Sequence, residues 1–191
     1  MSDGQRLKYI ELSPGGTGAM RVAEHYLNVE SGLDPVLLEL VRLRASLMNG
    51  CEFCIGLHRR ELAKHNEPES RVAAVAGWSA SDAFTETERA ALAWTEAVTN
   101  VQEGQVPDAA FAAVREHFAE KELVDLTVAI ASMNAWNRLA IAFRAEWKEP
   151  KAARGRAQTD VDEIAVNSAM SDDGERAAVG DDGGKVSVDE G

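Results

Sequence analysis

The stretch Asp34-Pro-Val-Leu-Leu-Glu-Leu-Val-Arg-Leu-Arg-Ala-Ser-Leu-Met-Asn-Gly50 reads as one helix with both ends marked. Asp34 is a helix-capping residue and Pro35 suits the first helical position, where its missing N–H costs nothing. Val36, Leu37, Leu40, Val41, Leu43, Leu47 and Met48 then recur at helical spacing. Asn49-Gly50 supplies the residues that suit a left-handed C-terminal turn. A second helix is expected from Cys51 to about His65, and Glu67-Pro68-Glu69 starts a short third one. Thr85-Glu-Thr-Glu88 fits a capping box and opens a helix through Leu92, Trp94 and Val98. Val106-Pro107-Asp108 starts another, through Phe111, Val114 and Phe118. The longest runs from about Lys121 to Phe143 and is apolar on more than one face, as in a helix central to the core or covered by a second subunit. No period-two strand stands out, so the fold class is all-α.

Residues 1–150 form the expected domain. From Lys151 the apolar period and the aromatics stop, and acidic residues and glycines accumulate through Asp172, Asp173, Asp181, Asp182 and Glu190. Such a composition buries too little apolar surface to offset its ordering entropy, so residues 151–191 are expected to be a disordered acidic tail. The net charge of -12 disfavours nucleic-acid binding. No apolar run approaches membrane-spanning length and the start lacks a signal-peptide pattern. The expected compartment is the cytoplasm, where thiols are held reduced and a CxxC is chemical rather than a structural staple.

The chain has two cysteines, and they form Cys51-Glu-Phe-Cys54. His58 follows four residues later and Glu39 precedes by twelve, giving the pattern E-x11-C-x2-C-x3-H. On a helix, positions three and four apart share a face, about 5–6 Å apart at Cβ. Cys51 and Cys54 are then close enough to form and break a disulfide. His58 shares the face of Cys54, where an imidazole can take a thiol proton. Glu39, on the preceding helix, can lie over the thiol face and orient His58. Two local rules disagree about the nucleophile. The helix N-terminus favours thiolate at Cys51, whereas the histidine favours Cys54.

The run from Glu39 to His58, together with Met133-Asn-Ala-Trp-Asn-Arg138, resembles the alkylhydroperoxidase D (AhpD) branch of the carboxymuconolactone decarboxylase superfamily. The likeness covers most of residues 1–146. It implies an AhpD-like helical bundle and a homo-oligomer, a trimer or hexamer. It also implies a thiol peroxidase cycle: Cys54 attacks a small hydroperoxide, Cys51 resolves the sulfenic acid to a disulfide, and His58 and Glu39 relay protons. A dithiol or lipoyl-bearing protein would restore the thiols, and no cofactor or resident metal is needed. One position departs from the pattern. The founding branch carries a relay histidine directly before the second cysteine, and here that residue is Phe53.

Other classes use the same residues. A non-peroxidatic disulfide reductase or a redox sensor would share the dithiol. A zinc site built from Cys51, Cys54, His58 and Glu39 is disfavoured, because three ligands on one continuous helix do not readily close a tetrahedron. His25, His65 and His117 have no partner pattern and are expected at the surface.

Overall fold

The structure, a computed structural model, describes residues 4–148. The expected tail, 151–191, lies outside the described residues. Eight α-helices are present among them and no strand: α1 (Tyr9–Leu12), α2 (Pro14–Val29), α3 (Pro35–Asn49), α4 (Glu52–Lys64), α5 (Glu69–Ala74), α6 (Glu86–Thr99), α7 (Asp108–Arg115) and α8 (Glu120–Ala142). Short 3-10 turns follow α5 and α6.

Helix α3 forms where its end signals place it. The Asp34 side chain accepts the Leu37 N–H at 2.9 Å, and Gly50 takes φ 67°, a left-handed conformation that a side chain disfavours. The Cys51 N–H then reaches back to the Ser46 carbonyl at 3.0 Å, closing a Schellman turn. Helix α6 shows the full capping box, with Thr85 and Glu88 each satisfying the other's backbone N–H.

The centre of the molecule is α3, which packs against α4, α6 and α8. Leu38, Leu40, Val41 and Leu43 are buried around more than one side of it, so α3 has two core faces. One core joins α2, α3, α6, α7 and α8 around Leu38, Val41, Trp94, Leu126 and Ile130. A second joins α3 to α4, α5 and α6 around Leu40, Leu43, Leu62, Phe84 and Leu92. The long helix α8 is only partly enclosed by its own chain: Leu126, Ala129 and Ile130 are fully buried, while Val124 and Val128 face outward.

Helix α2 shares with α3 a Pro at its first position after a capping residue type, Ser13-Pro14, but the Ser13 side chain makes no capping hydrogen bond. It begins Pro14-Gly-Gly-Thr-Gly18, a run of poor helix formers. It holds its place by packing, with Leu27 in the main core and the Tyr26 hydroxyl 3.3 Å from the Asp125 carboxylate on α8. Arg138 donates to the Asn134 carbonyl at 2.8 Å. His25, His65 and His117 are exposed, as their lack of partners implied.

Candidate active site

The α3–α4 corner has no linker. Cys51 ends the Schellman turn of α3 and serves as N-cap of α4, its sulfur accepting the Cys54 N–H at 3.4 Å. Cys51 and Cys54 are joined as a disulfide, with Cα atoms 5.3 Å apart. Both are buried among Ala45, Met133 and Ala140, with Phe53 and Trp136 packed alongside. A polar lattice fixes this corner to α8. The Asn49 side chain donates to Asn134 and Asn137 at 2.9 Å each, and Asn137 donates to the Ser46 hydroxyl at 3.1 Å. Asn137 is wholly buried, so each of these partners satisfies a group that would otherwise be costly.

One turn along α4, His58 is buried with both ring nitrogens engaged. Nδ1 lies 2.7 Å from Glu39 Oε2, and Nε2 lies 2.9 Å from the Met133 sulfur. Burial pushes the Glu39 carboxyl up, but hydrogen bonds and charge from His58 and Arg42 outweigh it and hold the group below its ordinary value. An ionised Glu39 can only accept, so the ring donates to it from Nδ1, and Nε2 is the nitrogen left for proton exchange. The Met133 sulfur is itself an acceptor, so Nε2 can take a thiol proton only where it does not already donate to that sulfur. Among the described residues, neither sulfur of the pair is a hydrogen-bond partner of that ring. A disulfide sulfur has no proton to give, and the thiol–imidazole contact expected between Cys54 and His58 is absent from the hydrogen bonds of the described residues.

The outer face of α4 is closely covered. Trp147 lies on Gly56 so tightly that a Cβ there would come within 2.5 Å of its ring. Phe53 meets the same ring edge-on at 5.9 Å between centroids, and the Arg60 guanidinium lies 5.4 Å from its centre. Phe53 therefore builds an aromatic wall where a relay histidine would stand. Among the described residues, no group of three or more His, Cys, Asp or Glu side chains is arranged to hold a metal ion.

The structure thus brings together the four residues singled out by spacing: Glu39 with His58, and Cys51 with Cys54. Three further residues complete the surroundings. Arg42 donates to Glu39 Oε1 at 2.7 Å and to Glu24 Oε2 at 2.7 Å. Its i+3 spacing from Glu39 is a legible ion-pair signal. Glu24 and Met133 come from distant helices; no local pattern marks Glu24, and the family-like run Met133–Arg138 marks Met133 without showing that it meets His58.

Comparison with known proteins places the chain in a family. Residues 17–97 match the model of the carboxymuconolactone decarboxylase family. The uncharacterized protein YdfG of Bacillus subtilis is 38% identical over 139 residues, covering 73% of this chain and 94% of that protein. The chain belongs to the carboxymuconolactone decarboxylase family. Within it, the AhpD-like group is the one the structure resembles. An Agrobacterium tumefaciens protein of unknown function, described as an AhpD candidate for antioxidant defence, superposes with a TM-score of 0.73 at 39% identity. That match covers 76% of this chain and 99% of the other. An uncharacterized peroxidase-related protein from Ralstonia eutropha, described as an alkylhydroperoxidase AhpD core, shares the fold, with a TM-score of 0.66 at 22% identity over 73% of this chain and 74% of its own. This AhpD-like protein has no helix among its described residues long and apolar enough to cross a membrane.

Proposed function

We propose that this AhpD-like protein is a thiol-dependent peroxidase that reduces small hydroperoxides through Cys51 and Cys54. The observation that carries the proposal is the join between a redox-active pair and a buried base: a disulfide one helical turn from an imidazole whose Nδ1 is held by a carboxylate at 2.7 Å.

In the reduced protein His58 Nε2 takes the Cys54 proton. The Cys54 thiolate attacks the terminal oxygen of ROOH. An S–O bond forms, the O–O bond breaks, and the alkoxide leaves as ROH with the proton from His58. Cys51 then attacks the Cys54 sulfenic acid, an S–S bond forms, and the hydroxyl leaves as water with the Cys51 proton. A dithiol, such as a lipoyl-bearing protein, returns two electrons and two protons. That cycle needs a reducing compartment, and the cytoplasm supplies one. The family resemblance implies a homo-oligomer, a trimer or hexamer, which would cover outward-facing Val124 and Val128 on α8.

Stopped-flow mixing of the reduced protein with tert-butyl hydroperoxide tests the proposal. The expected result is rapid loss of two thiols per chain and a mass lower by two hydrogens. Cys54→Ser should not react, and Cys51→Ser should stop at the sulfenic acid. Thiols that survive excess hydroperoxide would overturn the reading. Phe53, which carries no proton, favours a disulfide reductase as the second reading. Rapid exchange with a small disulfide, without peroxide consumption, would establish it.

A further inference from the structure

The Glu39–His58 pair is the inner part of a longer ionic chain. Glu39 uses both oxygens: Oε2 faces His58 Nδ1 and Oε1 accepts from Arg42 Nη1, each at 2.7 Å. Arg42 turns its other amino group to Glu24 Oε2 on α2, also at 2.7 Å. The second oxygen of Glu24 accepts from the Ser132 hydroxyl on α8. The next residue, Met133, holds its sulfur 2.9 Å from His58 Nε2. The chain therefore closes on itself around the imidazole, through α4, α3, α2 and α8.

Arg42 is 4% exposed, and a guanidinium is almost never so buried without paired carboxylates. Its Nε is buried with no hydrogen-bond partner among the described residues, so Glu39 and Glu24 alone fix its plane. The charged and titratable groups around Glu39 are Arg42 on its own helix, His58 on α4 and, beyond Arg42, Glu24 on α2. The contact from α8 is neutral. With a neutral ring these charges sum to minus one, and a proton arriving on His58 brings the sum to zero.

We infer that Arg42 is a positioning residue for the thiol chemistry: it holds Glu39 ionised and in plane beneath His58, so that the imidazole presents Nε2 as the base. Glu24, anchored by Ser132, keeps the guanidinium in place. The inference rests on the reading of His58 as the base of the thiol cycle. Without the guanidinium, the buried Glu39 would take up a proton at higher pH. The imidazolium formed with the Cys54 thiolate would then lose its counter-charge.

The test is the pH profile of iodoacetamide alkylation in the reduced full-length Cys51→Ser protein, where Cys54 is the one thiol titrated. Arg42→Gln should move the acid limb up by about one pH unit, so that the rate near the foot of the limb falls about tenfold. Arg42→Lys, which keeps the charge, should restore most of the profile. A merely structural arginine would change how much protein folds without moving the limb. Should Arg42→Gln not fold, the double variant with Glu24→Gln removes the carboxylate left unpaired and reads the same limb. A limb that superposes on that of the parent would overturn the inference. Alkylation needs no peroxide, so this outcome is separate from the peroxidase test. A parent inert to hydroperoxide would sink the proposed activity and leave the profile to decide the role of Arg42.

Discussion

Two arginines in this protein each bridge a pair of glutamates, and they sit in different surroundings. Arg71 on α5 joins Glu67 to Glu88 on α6, lies 5.4 Å from the Phe84 ring centre, and donates Nε to the Ala83 carbonyl at 2.9 Å. Its side chain keeps 18% of its surface exposed. Arg42 joins Glu39 to Glu24 with 5% of its side chain exposed, its Nε unpaired, and one of its carboxylates turned to an imidazole. The first cluster engages all three nitrogens of its arginine and fastens α5 to the start of α6. The second is less well satisfied, yet it lies where charge can act on a thiol pair. On the proposed function, the same ionic arrangement is a staple in one place and a support for thiol chemistry in the other.

Breaking the two clusters alike should separate them. Arg42→Met leaves Glu39 and Glu24 without their shared cation in a low-dielectric setting, which costs about 3–5 kcal/mol where a buried pair loses one partner. Arg71→Met removes a more exposed guanidinium from carboxylates that keep 19% and 15% of their surface, against 10% for Glu39, and the expected loss is about 1–2 kcal/mol. Urea unfolding at neutral pH measures both. Equal losses would mean that burial does not distinguish the clusters. Arg71→Met should also leave the Cys54 alkylation rate unchanged, since no contact links Arg71 to the dithiol corner.

How much of this was legible in the sequence follows from the range of each interaction. Asp34, Gly50, Thr85 and Glu88 act on backbone within a few residues, so their helix ends could be read directly. The dithiol and His58 share one helix face, and Glu39 could be placed one helix earlier, although its 2.7 Å contact required the folded chain. Helix α2 was harder to read, because the glycines after Ser13-Pro14 oppose helix and its stability comes from Leu27 and Tyr26 packing on distant residues. Met133 lies 75 positions from His58, and Ser132 lies 108 from Glu24. Helical periodicity assigns such residues to a face but does not name the group they will meet.

A smaller effect sharpens the second cluster. Glu88 serves twice: Oε2 accepts the Thr85 N–H at 2.9 Å, and Oε1 accepts from Arg71. Thr85→Ala removes the reciprocal half of the capping box and should cost about 1 kcal/mol. If Glu88 couples the cap to the ion cluster, the combined loss in Thr85→Ala with Arg71→Met should differ from the sum of the single losses. A strictly additive double-mutant cycle would show two independent devices.

The least of the expected effects concerns acid. Glu39 binds its proton less readily in the folded chain than in the unfolded one, because His58 and Arg42 outweigh the cost of its burial. Near the ordinary carboxyl value the unfolded chain therefore holds more protons, and stability rises with pH. The contribution of Glu39 is complete above the unfolded value and is lost as the pH falls through the folded one. Urea midpoints taken from about pH 7 down to about pH 3 should fall more steeply for the parent than for Glu39→Gln, which has no proton to gain. The two curves should converge at the acid end, where the parent's Glu39 is itself neutral. Parallel curves would mean that the ionised form of Glu39 adds nothing to folding. The Glu39 cluster would then resemble the Arg71 cluster in geometry without drawing stability from its ionised carboxylate.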